Sequence, residues 1–120
     1  MDNPRINAIR ICIDTIPLTE LKECGMLWYI GMIKGVVDIE KKIVAFGGEY
    51  HRDALGVLEK NGSNGSDVWG FNVHFDEPRE SWLEYNSLIN IRPAQGNRTA
   101  DIADAALQKK ISEIINPMIV

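Results

Sequence analysis

The segment Trp69-Gly70-Phe71-Asn72-Val73-His74-Phe75 constrains the fold of this chain more than any other stretch. Its large apolar residues fall at every second position, the period of a strand with one face in a core, whereas a helix would scatter them around its circumference. After Asp76-Glu77-Pro78-Arg79-Glu80-Ser81, a second run sets Leu83, Tyr85, Ile89 and Ile91 against Glu84, Asn86, Leu88, Asn90 and Arg92. Matching the two apolar sets predicts a hairpin whose simplest register places Phe75 opposite Leu83. His74 then faces Glu84, Asn72 faces Asn86, and Asn90 and Arg92 lie further along the same polar face. A bulge near Ser87 would disturb the pairing beyond it.

The remaining elements follow from shorter signals. A first strand is expected over residues 8–13 after a loose start. Pro17 opens a helix carrying Leu18, Leu21, Cys24 or Gly25, and Trp28, which ends near Gly31. Two β-branched runs, 34–39 and 43–48, flank Glu40-Lys41-Lys42 and predict a hairpin; adjacent Val36 and Val37 indicate that it is covered on both sides. Asp53 as N-cap and Asn61-Gly62 as stop frame a helix over 54–60, with a strand as the alternative. NGSNGSD reads as a flexible loop. A last helix begins near Asp101 with a stripe of Leu107, Ile111, Ile114 or Ile115 and Met118, and Asn116-Pro117 ends it. The expected fold is α+β. An antiparallel sheet of about five strands, in chain order β-α-β-β-α-β-β-α, carries two or three helices packed mainly on one face.

The length, 120 residues, suits a single domain over 1–120 that buries its own core. A formal net charge of -4 excludes a generic pull onto nucleic acid. No apolar run reaches membrane-spanning length and MDNPRINAIR contains no signal core, so no membrane partner and a cytoplasmic location are expected. The two cysteines, Cys12 and Cys24, sit among apolar residues without metal-ligand spacing, as buried free thiols do in a reducing compartment. Trp82, at the hairpin tip, has the weakest claim to burial of the three tryptophans, and an exposed Trp82 beside Leu88 would mark a homodimer surface.

The succession of a GGE-x-H pattern at residues 47–51, D-x-WG-x-N at residues 67–72 and INIRP-x-QGNR at residues 89–98 resembles a small prokaryotic family, a domain of unknown function. The resemblance runs from Leu18 to the C-terminal end and is most specific over residues 89–99. It implies a compact cytosolic domain and transfers no catalytic residue.

Three groups of residues are candidates for chemistry. In the loop 92–99, Arg92 and Arg98 suit a carboxylate or phosphate, Gln95 and Asn97 present amides, Gly96 admits a ligand to the backbone, and a following helix start offers free N–H groups. This favours a non-catalytic module that binds a small anion or an acidic group on a partner. The bland reading is a shaped connection in which Asn97, Thr99 or Asp101 caps the last helix. His74 with Glu84 forms the acid/base pair of an alternative, hydrolase-type enzyme, since a carboxylate orients an imidazole and raises its basicity. Glu49, His51 and Asp53 are the candidates for a metal site, although their spacing fits neither a zinc helix nor a calcium loop. No cofactor is implied. A structural homo-oligomer without ligand is the third reading.

Overall fold

The computed structural model describes residues 6–120. The elements are β1 (Arg10–Cys12), α1 (Leu18–Gly25), β2 (Met32–Asp38), β3 (Ile43–Phe46), α2 (His51–Lys60), β4 (Val68–His74), β5 (Leu83–Glu84) and α3 (Ala105–Met118). The five strands form one antiparallel sheet in the order β1-β3-β2-β4-β5. The fold is therefore α+β, with the expected chain order. The start expected to be loose falls largely on residues outside the described ones.

Alternation on the central strands sends side chains to two separate cores. Ile33 and Val37 of β2, Val44 and Phe46 of β3, and Trp69, Phe71 and Val73 of β4 share one cluster with Leu21 of α1 and Ile111, Ile115 and Met118 of α3. On the other face Val36, Ala45 and Val68 pack against Ala54 and Leu58 of α2. Two helices thus share one face and the third closes the other. Each fully buried aliphatic or aromatic side chain contributes about 1.5–3 kcal/mol as an upper bound. Gly35 lies directly opposite Phe71, and a Cβ at position 35 would stand 2.4 Å from the Phe71 ring, so the glycine makes room for it. That ring meets Phe46 edge-on at 5.9 Å. Both edge strands are short, which leaves little unpaired backbone for edge-to-edge pairing.

Several boundaries differ from expectation for local reasons. Helix α1 stops at Gly25, well before Gly31, and Trp28 leaves the helix stripe to pack into the α2-side cluster. Helix α2 starts at His51 with Tyr50 at the N-cap, so Asp53 lies inside the first turn and is not the cap. The loop of residues 61–67 contains a 3-10 turn at Gly65–Asp67, with Asn64 accepting from the N–H and hydroxyl of Ser66. The β4–β5 register is slid by two residues, Asn72 opposite Glu84 and Val73 opposite Leu83, which preserves the predicted faces.

The largest correction is that β5 ends at Glu84 and does not continue to Arg92. Ser87 instead caps a 3-10 turn over Leu88–Asn90, and a second turn follows at Pro93–Gln95. Helix α3 is capped by Asp104 and runs through Pro117 in its last turn. Trp82 is only 3% exposed: its Nε1 donates to Asn116 Oδ1 (2.9 Å), and Arg79 stacks on its ring. It marks no free surface. Among the described residues, no helix is long and apolar enough to cross a membrane.

Candidate functional site

The α2-facing side of the sheet changes character along its length. Beneath the C-terminal half of α2 it is apolar, through Val36, Ala45 and Val68. Beneath the N-terminal end it becomes polar, because the same alternation delivers Lys34, Gly70, Asn72 and His74 there. Helix α2 and the Asn86–Ile89 segment do not close over this polar end. A cleft of about 420 Å³ remains, floored by Lys34, His51 and Asn72 and rimmed by Tyr50, Arg52, Asn86, Ser87, Leu88 and Ile89. That volume is at the scale of small-molecule sites.

Gly70 lets two elements meet under the cleft. A Cβ there would stand 2.5 Å from the Ser87 Cβ and 3.2 Å from His51 Cδ2, so only a glycine admits both side chains. His51 is buried, and its Nε2 lies 2.9 Å from the Phe71 carbonyl and 2.9 Å from Asn72 Oδ1. The Asn72 amide nitrogen in turn donates to Glu84 Oε1 (2.8 Å) and to the Asn86 carbonyl (3.2 Å). Burial, reinforced by the charge of Lys34, draws the His51 pKa below its ordinary value, against the opposing hydrogen bonds to Phe71 and Asn72. Burial and the nearby Lys34 thus favour the neutral imidazole over the imidazolium. Lys34 itself sits over the Tyr29 ring at 5.3 Å, and the Tyr29 hydroxyl donates to the Glu49 carbonyl.

His74 and Glu84 do meet, Nε2 to Oε1 at 2.9 Å, as diagonal and not directly opposed neighbours. The hydrogen bond from His74 is the largest cause holding the Glu84 carboxyl below its ordinary range, with Asn72 adding to it. A continuous chain thus links His74, Glu84, Asn72 and His51 across the sheet. The pair stands at the solvent side of this chain, with the His74 side chain 36% and the Glu84 side chain 50% exposed.

The loop candidates are placed differently from one another. Arg92 spreads its guanidinium over backbone carbonyls: Nε donates to Ile89 (3.0 Å), Nη1 to Ser66 (3.1 Å) and Nη2 to Val68. Its Cζ lies 4.4 Å from the Trp69 ring centroid, and burial lowers its pKa. Gln95 also donates to the Ser66 carbonyl. Asn97 is buried, its amide nitrogen donating to the carbonyls of Asn90, Thr99 and Asp101 while Oδ1 accepts from Ala103 N–H. Arg98 is exposed and forms no hydrogen bond or ion pair with another described residue. The helix expected to begin near Asp101 begins only at Ala105, its first N–H groups already bonded to Asp104. Among the described residues, no group of three or more His, Cys, Asp or Glu side chains is placed to share a metal ion; His51 is turned to the sheet, away from Glu49 and Asp53.

A family model described as "Protein of unknown function (DUF5674)" matches residues 10–118, nearly the whole chain. The chain belongs to this family. No curated protein and no solved structure matches it. In this DUF5674 member, the residues of the WG-x-N and INIRP-x-QGNR blocks are two halves of one structural lock. Gly70 pairs with Asn90, Trp69 stacks with Arg92, and Asn97 ties the loop to itself.

The cleft was only partly legible in the sequence. His51 stood out for its carboxylate neighbours and Asn72 for its place on a polar face. Lys34 carried no signal, because a single lysine in a β-branched run is ordinary, and nothing local reveals that α2 starts early enough to bring His51 over β4.

Proposed function

We propose that this protein is a non-catalytic binding module whose cleft at the start of α2 holds a small organic anion. The observation that carries this reading is the convergence of Lys34 and Arg52 beside the buried imidazole of His51, with an apolar rim in Leu88 and Ile89. Two cations attract a carboxylate or phosphate, and the enclosed geometry strengthens the attraction relative to open solvent. The N-terminal end of α2 points the same way, since Tyr50 caps it without a side-chain bond. The loop 92–99 supports anion binding less well, because Arg92, Gln95 and Asn97 already bond to the protein and only Arg98 is free to act. The free thiols Cys12 and Cys24 fit a cytoplasmic module.

Thermal unfolding in the presence of phosphate, nucleotides and a panel of carboxylates tests the reading. A ligand at a hundred times its Kd stabilises the fold by about 2.7 kcal/mol. Stabilisation that is lost in Lys34→Ala or Arg52→Ala and kept in Arg98→Ala is the expected result. Loss in Arg98→Ala alone moves the site to the loop, and no stabilisation by any anion removes the binding reading.

A second reading, an acid/base enzyme of hydrolase type, draws on the hydrogen-bonded chain from His74 through Glu84 and Asn72 to His51. It requires turnover that falls by at least about a hundredfold in Glu84→Gln, the lower end of a general-acid/base contribution.

A further inference from the structure

The hydrogen bonds of His51 fix its tautomer. Asn72 is oriented by two acceptors, Glu84 Oε1 and the Asn86 carbonyl, both of which take its amide nitrogen, so its Oδ1 must be the atom facing His51. The other partner of His51 Nε2 is also a carbonyl oxygen, that of Phe71. Two acceptors on one ring nitrogen require the proton to be there. In the neutral ring Nδ1 is then a bare lone pair. The residue is only 7% exposed, yet Nδ1 has no partner among the described residues. Among the described residues, no fully buried side-chain nitrogen or oxygen lacks a partner, so Nδ1 is not sealed in, and the space that His51 lines is the cleft.

The cleft therefore offers an unusual combination: cations at Lys34 and Arg52 and, lining the same cleft, a fixed acceptor. A fully deprotonated anion has only lone pairs to present and would meet Nδ1 acceptor to acceptor. Resting on the anion-binding reading above, we infer that the ligand is a small organic acid carrying its own hydroxyl or N–H donor beside the anionic group, with an apolar tail. The anionic group lies with Lys34 and Arg52, the donor bonds to His51 Nδ1, and the tail lies against Leu88 and Ile89, of which Leu88 is 80% exposed without it. Hydroxy acids and amino acids of aromatic or branched side chain have this pattern.

The test compares 3-phenyllactate with 3-phenylpropionate, which differ only by the hydroxyl, using isothermal titration and the ¹⁵N resonances of the His51 ring in the wild-type protein. Phenyllactate is expected to bind about tenfold more tightly, the worth of one net hydrogen bond. It should also move the Nδ1 resonance upfield, the response of a bare ring nitrogen that gains a donor, and phenylpropionate should leave that resonance in place. Equal affinities with an unmoved Nδ1 overturn the inference, and so does the absence of binding by both compounds at 10 mM, a concentration above the Kd of even a weak millimolar ligand. Phosphate stabilisation that depends on Lys34 would in either case show that the anion reading itself survives.

Discussion

Asn90 takes the place of a strand. Fully buried, it exchanges both hydrogen bonds with Gly70, Nδ2 donating to the carbonyl (3.0 Å) and Oδ1 accepting from the N–H (2.8 Å), as an antiparallel neighbour would. Its Nδ2 reaches the Ala100 carbonyl as well, at 3.3 Å. Without that side chain, the backbone of β4 at Gly70 would be left unpaired in the interior, where each unsatisfied group costs about 1–3 kcal/mol. Asn90→Ala is accordingly expected to lower stability by about 3 kcal/mol, seen as a lower urea midpoint at an unchanged slope. From the sequence, Asn90 belonged to the polar face of a continuing strand. Its true role was hidden because an asparagine on a solvated face and one replacing a strand look alike until the strand's end is known.

Elements in this protein are held by their turns as much as by their ladders. The β2–β3 turn forces Lys42 into the left-handed region at φ 57°, where a Cβ is unfavourable, while Asp38 ties the turn down by accepting from the N–H groups of Glu40 and Lys41 and from the Ser63 hydroxyl. Lys42→Gly should raise stability by about 0.5–1 kcal/mol and Lys42→Val should lower it, both measurable by chemical denaturation. The packing of β4 against the Leu88–Asn90 turn depends on Gly70 in the opposite sense. Gly70→Ala puts a methyl 2.5 Å from the Ser87 Cβ, so the turn must move, and an expected loss of about 2 kcal/mol comes with reduced amide-exchange protection at position 70. The hairpin's parity was readable from alternation. Its length was not, because Ile89 and Ile91 keep the alternating look while Ser87 redirects the backbone into a turn.

At the scale of the molecule, the sheet is a shared wall between two cores, and its polar end links the fold to pH. Two groups there have depressed pKa values in the folded state. His51 faces Lys34 from β2 and, through Asn72, Glu84 from β5; its burial disfavours the imidazolium, so the unfolded chain binds the proton more readily. Its contribution is complete above the ordinary histidine value of 6.5 and is lost as pH falls below it toward the folded pKa. Glu84 acts in the same direction at lower pH, its contribution being present above the ordinary 4.5 and lost as pH falls through its folded value. Melting temperature should therefore decline from pH 7 in two stages, and a His51→Gln variant should lose the first stage alone. A single decline beginning only below pH 5 would contradict the role given to His51.

The sequence by itself determined the class of fold, the order of its elements and which residues share a strand face, because alternation and helical spacing are local and the hydrophobic effect acts on them residue by residue. It also marked the polar stripe of Asn72, His74 and Glu84. Only the tertiary structure decided where β5 ends, that Arg92 and Asn97 are turned inward, and that His51, Lys34 and Asn72 share a cleft. Those outcomes depend on which distant backbone groups need partners once the chain has packed, and residues far apart in sequence meet only after the helices have chosen their faces of the sheet.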